Sequence, residues 1–79
     1  MVDAAEQFLR GKGLKICRVR YHRGNLARIE VPLEELLPLC EPTIRQELAA
    51  EFRRLGFKFV TIDLEGFRSG SLNQLLQIQ

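Results

Sequence analysis

The segment from Ile16 to Val31, ICRVRYHRGNLARIEV, alternates apolar and polar residues on both sides of a short glycine-containing break. A period of two interrupted in this way folds as a β-hairpin. Alternation sets Cys17, Val19 and Tyr21 on one face and Arg18, Arg20 and His22 on the other. In the second arm Ala27, Ile29 and Val31 form the matching apolar set, leaving Arg28 and Glu30 to face outward. Arg23-Gly24-Asn25 reads as a three-residue loop in which Gly24 or Asn25 adopts positive φ at little cost.

That loop sets a register. His22 falls opposite Leu26, Tyr21 opposite Ala27, Val19 opposite Ile29, and Arg18 opposite Glu30 as a favourable pair. Arg20 falls opposite Arg28, and like charges directly opposite destabilise a sheet by roughly 0.2–1 kcal/mol. Either a carboxylate from a third strand or a bound anion offsets this repulsion, or both arginines splay into water with their stems along the sheet.

The charge distribution bears on that choice. Net charge is only +2, too small to imply a nucleic-acid partner by itself. Yet Arg10, Lys12, Lys15, Arg18, Arg20, Arg23 and Arg28 all lie between Gln7 and Ile29 with no acidic residue among them. Arginine outnumbers lysine nine to three over the chain, and guanidinium is the group suited to bidentate binding of phosphate and carboxylate. An anionic ligand is the reading that this favours.

Seventy-nine residues form one domain with a core that is only just sufficient. The chain contains no run of about 18 apolar residues to cross a membrane, and its first residues, MVDAAEQFLRG, lack the pattern of a secretory signal. A cytoplasmic location is expected. Cys17 and Cys40 have neither metal spacing nor a CxxC arrangement, and both read as small core hydrophobes with free thiols. No metal site is expected.

Ahead of the hairpin, Asp3 is placed to cap a short helix, with Glu6 completing a capping-box pattern or simply favouring the helix dipole. Val2, Ala5, Phe8 and Leu9 make its apolar stripe, and Gly11 and Gly13 end it. After the hairpin, Pro32 opens a turn of helix over Leu33–Leu37 that Pro38 stops. Thr43, with Gln46 three residues on, is expected to cap the main helix, which runs to about Leu55 with Ile44, Leu48, Ala49, Phe52 and Leu55 on one face. Gly56 supplies its left-handed C-cap, with Phe57 folding back as its hydrophobic contact.

Phe57–Leu64, FKFVTIDL, is a strong β-former. Val60, Ile62 and Leu64 are expected in the helix-facing core, with Phe59, Thr61 and Asp63 on the opposite face beside the arginines. Asp63 is then the best partner for Arg20 or Arg28. A face bearing Phe59 among arginines has the character of a contact surface for another chain or domain. In the tail, Ser71 reads as the cap of a last short helix with Leu72, Leu75 and Leu76. Arg68, Ser69 and Ser71 form a Gly/Ser turn that is a weak phosphate-site candidate. The fold expected is α+β: a small two-layer domain, a β-hairpin plus a third strand with helices packed on one face.

Two stretches together resemble a known family. RVRYHRGNLARIEVP followed by LGFKFVTIDLEGFRSGSLN, preceded by AEQFLRGKG, resembles the C-terminal part of LarE-type proteins. These are ATP-dependent sacrificial sulfur transferases of the PP-loop superfamily that mature the nickel-pincer nucleotide cofactor of lactate racemase. The resemblance covers nearly the whole chain, 1–79, and implies a single domain equivalent to the family's C-terminal domain. The family's chemistry uses an N-terminal ATP-binding domain with a Ser-Gly-Gly-x-Asp-Ser loop, and a cysteine that gives up its sulfur. This sequence has no such loop, and neither Cys17 nor Cys40 aligns with the donor cysteine. ATP and magnesium are implied for the full-length family only, and no cofactor is expected in this chain.

Glu6, Arg18 and Arg20 match family residues that line the nucleotide-phosphate region, whereas a further acidic site residue falls near Pro38 and is not kept. The resemblance thus implies an accessory and oligomerisation domain with no catalytic residue of its own. It would offer Arg18 and Arg20, with Glu6 and Arg28, to a phosphate-bearing small molecule, supported by Glu30 and Asp63. Glu30 is expected to hold Arg18, and residues two apart on a strand are spaced for two guanidiniums to converge on one phosphate. The implied partners are a PP-loop ATP-binding domain, in the same or a separate chain, and further copies of this one. The alternatives are a small RNA- or nucleotide-binding module, with Tyr21, Phe59 and Phe67 near the basic face for stacking, and a pure assembly domain.

Overall fold

The computed structural model describes residues 1–67. In order they form helix α1 (Val2–Gly11), strands β1 (Arg18–His22) and β2 (Leu26–Glu30), a 3-10 turn (Leu33–Glu35), helix α2 (Leu36–Leu39), helix α3 (Pro42–Arg54) and strand β3 (Phe59–Ile62). The candidate turn residues Arg68, Ser69 and Ser71, and the helix expected from Ser71, lie outside the described residues.

The hairpin has the register its turn requires. Arg18 pairs with Glu30, Val19 with Ile29, Arg20 with Arg28, Tyr21 with Ala27 and His22 with Leu26, all antiparallel. Gly24 and Asn25 both take positive φ, 84° and 60°. β3 adds parallel to β2, with Leu26 beside Phe59 and Ile29 beside Ile62, so the sheet order is β1-β2-β3. A parallel addition needs a crossover, and α2 and α3 supply it.

The helices pack on one face, giving the two-layer α+β arrangement expected. Ala5 and Leu9 of α1 and Leu48 and Phe52 of α3 bury against Val19, Ala27, Ile29 and Val31. Phe52 stacks at 5.5 Å on Phe57, whose ring in turn lies 6.2 Å from Tyr21. Burying each large apolar side chain of this kind contributes about 1.5–3 kcal/mol. Tyr21 sits at the rim of that core, half exposed, with its hydroxyl donating to Asn25 Oδ1 at 2.7 Å.

Helix ends and loop edges depart from the expected pattern. α1 starts one residue before Asp3, with Met1 as N-cap and no side-chain cap, so Asp3 serves the dipole from within the first turn. Pro38 does not stop a helix but lies inside α2, where a one-turn helix has no preceding carbonyl for its ring to displace. Thr43 is not the cap of α3. Glu41 is, accepting from Thr43 N at 3.3 Å and Ile44 N at 3.1 Å, and Pro42 occupies the first helical position.

At the other end of α3, Phe57 N donates to Phe52 O and Gly56 N to Arg53 O, the paired bonds of a Schellman cap. β3 is shorter than Phe57–Leu64: Phe57 is buried ahead of it and Leu64 lies exposed beyond it, not in the core. The strand ends because Glu65 N turns back onto Asp63 Oδ1 and Gly66 N onto Asp63 O. Phe67 N then bonds Val31 O, which brings Gly66 so close that a Cβ there would sit 2.8 Å from that carbonyl. Only glycine fits that approach.

The capping assignment is directly testable. Glu41→Ala is expected to cost about 1 kcal/mol in urea denaturation, and Thr43→Ala less than half of that. Equal losses would return the cap to Thr43.

Candidate functional site

On the face away from the helices the two pairings align side chains into cross-strand rows. His22, Leu26 and Phe59 form the row nearest the turn, and Arg20, Arg28 and Thr61 the next. Arg18 and Glu30 form the third, beside Asp63, whose N–H bonds Ile29 O just past the end of β3.

Glu30 organises this face. Its side chain is 6% exposed although it points away from the apolar core, because Arg20 and Arg28 close over it. Arg20 Nε donates to Glu30 Oε1 at 3.3 Å and Arg28 Nη2 to Oε2 at 3.0 Å. One carboxylate thus bridges the two like charges set opposite each other by the register. Arg28 Nε also lies 3.8 Å from Asp63 Oδ2, a charge contact without a hydrogen bond, since this nitrogen is buried with none. The repulsion is therefore offset by carboxylates from the central strand and from the end of the third.

Arg18 is not held by Glu30, as its place directly opposite suggested. Glu30 turns diagonally to where two positive charges meet. Arg18 Nε instead lies 4.0 Å from Glu6 Oε2 on α1. Glu6 is itself mostly buried, with Oε2 accepting from Val19 N at 2.9 Å and Oε1 3.6 Å from Arg10. β1 is an edge strand, so the carboxylate meets a backbone donor that no neighbouring strand would reach. Glu6 is thus a tie between helix and sheet edge, not one half of a capping box.

The arrangement has two chemical consequences. The Nε of Arg18 is drawn toward Glu6 on α1 and the Nε of Arg20 toward Glu30 on β2, so the two guanidiniums are held from opposite flanks of β1. Arg20 is hydrogen-bonded through Nε, Arg18 has only a 4.0 Å charge contact at Nε, and among the described residues nothing bonds their terminal Nη atoms. These half-exposed forks are the geometry for end-on capture of an oxyanion. Across the cluster Arg10, Arg18, Arg20 and Arg28 face Glu6, Glu30 and Asp63, one positive charge in excess.

The cysteines are apart from this face. Cys17 is buried, its thiol donating to Glu6 O at 3.9 Å, and desolvation by burial raises its pKa above the ordinary thiol value. Cys40 is exposed, contrary to its expected place in the core, because it follows a one-turn helix at the surface. It lines a shallow apolar cleft of about 150 Å³ with Leu39, Leu48, Val60 and Ile62. Among the described residues no three or more His, Cys, Asp or Glu side chains are grouped to hold a metal ion. No described helix is long and apolar enough to cross a membrane.

No family model matches the chain. Two curated proteins do, each over 75 residues or 95% of this chain. One is "Uncharacterized protein slr1717" of Synechocystis sp. (strain ATCC 27184 / PCC 6803 / Kazusa), 44% identical, with 28% of its length covered. The other is the pyridinium-3,5-bisthiocarboxylic acid mononucleotide synthase of Lactiplantibacillus plantarum, 40% identical, with 26% covered. The chain spans about a quarter of the length of these relatives. It is a homologue of one segment of these larger proteins.

Two measurements check this geometry. Glu30→Ala opposes Arg20 to Arg28 with nothing between, and is expected to cost about 2 kcal/mol, less than a fully buried pair because both arginines reach water. Arg20→Ala is expected to cost under about 0.5 kcal/mol, since Arg28 still meets the carboxylate. Equal costs in urea denaturation would contradict the bridge. A maleimide, followed by mass spectrometry, is expected to modify Cys40 at least about tenfold faster than Cys17, whose burial hides it and disfavours its thiolate.

Proposed function

We propose that this chain is an accessory domain of a PP-loop, ATP-dependent sulfur transferase acting on a nucleotide. In this reading Arg18 and Arg20, with Arg28 behind them and Glu6 holding Arg18, contact the substrate's phosphate. The observation that carries it is the pair of half-exposed guanidiniums, Arg20 hydrogen-bonded through Nε and Arg18 in charge contact with Glu6, on a face with one excess positive charge. Identity of 40% to part of a mononucleotide synthase supports the nucleotide class.

ATP and magnesium belong, in this proposal, to a PP-loop ATP-binding domain in the same or a separate chain. The domain works in the cytoplasm, and its role is to bind and orient. Its outward face, where Phe59 is 57% exposed, also meets that partner domain or another copy of this chain in a homo-oligomer.

Exposure limits each charge-assisted contact to about 1 kcal/mol, so two or three of them give a Kd on the order of ten millimolar for phosphate in the isolated chain. Titration with inorganic phosphate, followed by backbone amide NMR, is expected to shift residues 18–20 and 28–30. Arg20→Ala is expected to weaken that binding about threefold or more while leaving the remaining spectrum in place. Shifts confined to residues 68–71, or none at all, would overturn the assignment.

A further inference from the structure

Among the described residues the helix layer leaves one corner of the sheet open. α1 packs on β1 and α3 on β3, yet Val60 and Ile62, which face that layer, are only half-buried. The gap is the apolar cleft of about 150 Å³ that they line with Leu39 and Leu48, and exposed Cys40 and Arg45 stand at it as well. An apolar cavity of about this size takes up a group as large as benzene. The cleft opens on the side of the sheet away from the arginine face.

The chain that follows Phe67 has the matching chemistry. From Ser69 to Gln79 the sequence, SGSLNQLLQIQ, carries no charged side chain. Leu72, Leu75 and Leu76 recur at the spacing of one helix face, with Asn73, Gln74 and Gln77 off it and Ser71 in a capping position. A helix this short draws its stability from packing such a face, not from propensity alone.

The exit point of the chain also lies at the right end of the sheet. Phe67 N bonds Val31 O, and Gly66 lies against Leu33 of the 3-10 turn that leads into α2 and so to Leu39 and Cys40. Ile62 sits beside Ile29, two residues back from Val31 along the strand, which is about 7 Å. The five steps from Phe67 to Leu72 span up to about 17 Å. A second copy of the chain offers the same leucines only at its own concentration. A segment tethered through residues 68–71 is held at an effective concentration in roughly the millimolar range.

We infer that residues 72–76 of the same chain dock in this cleft, setting the Leu72–Leu75–Leu76 face on Val60, Ile62 and Leu48 and completing the helix layer over β3. The inference is independent of the phosphate reading, which concerns the other face of the sheet.

Methyl NMR on the unaltered 79-residue chain tests it. NOEs are expected from the methyl groups of Leu72, Leu75 and Leu76 to those of Val60, Ile62 and Leu48. In an equal mixture of isotope-labelled and unlabelled chains, none of these NOEs is expected between molecules. Leu75→Ser combined with Leu76→Ser in the full chain is expected to raise the rate of Cys40 alkylation by a maleimide about threefold or more, with the amide signals of β1 and β2 unmoved. Absent NOEs in the unaltered chain, or an unchanged Cys40 rate in a folded double variant, would overturn the docking. NOEs that run between molecules would overturn it in favour of a second copy as the occupant. Should the double variant lose its dispersed spectrum, the NOEs of the unaltered chain decide alone.

Discussion

The turn at residues 23–25 decides how β1 meets β2, and every other feature of the domain depends on that pairing. Side chains on a strand alternate strictly, so slipping the register by one residue would exchange the two faces of an arm. Val19 would then leave the helices, or Arg28 and Glu30 would be forced between the sheet and α3. The positive φ values at Gly24 and Asn25 make the three-residue loop, and with it the register, the one the chain can adopt without strain. The same choice that buries Val19, Ala27 and Ile29 also sets Arg20 against Arg28.

A local defect for stability thus becomes the organising feature of the outer face. Glu30 is almost completely covered by the two arginines that it separates, so a charged residue has the burial of a core position without being in the core. Glu6 does the matching work at the sheet's free edge, taking the N–H of Val19 and drawing Arg18 toward α1. At the opposite edge β3 is only four residues long and is flanked by Lys58 and Asp63, a short charged border that discourages unplanned strand pairing. Arg20 gives its Nε–H to Glu30, and among the described residues nothing bonds its terminal nitrogens. The structural need for counter-charge is met by the same side chains that we propose contact a phosphate.

Local patterns carried most of this fold. The hairpin register, the amphipathic α3 with its glycine stop and the third strand all follow from period and turn chemistry, which act over a few residues. The helix starts were less legible. Glu41 and Thr43 are both competent caps two residues apart, and Pro42 at the first helical position decides between them only once the start of α3 is known. Cys40 and Leu64 look like core residues by type, but their exposure depends on where α2 and the Asp63 turn place the chain.

At the site, alternation put Arg18, Arg20, Arg28 and Glu30 on one face, and opposition suggested the wrong partner for Glu30. Diagonal contacts depend on side-chain length and on how many charges converge, and pairing rules do not encode these. Glu6 was connected to Arg18 through resemblance alone. Its bond to a strand amide thirteen positions away has no signature in the local pattern.

Arg20 is anchored through Nε by Glu30, which leaves its terminal nitrogens for the proposed phosphate. Arginine side-chain NMR measures this directly, because the Nε–H proton exchanges with water at a rate that reports its hydrogen bonding. The Arg20 Nε–H is predicted to exchange at least about tenfold more slowly than that of the exposed Arg53. In Glu30→Gln the difference should largely disappear, with the Arg18 signal unchanged. An Arg20 Nε–H that exchanges as fast as that of Arg53 in the unaltered chain would contradict the account.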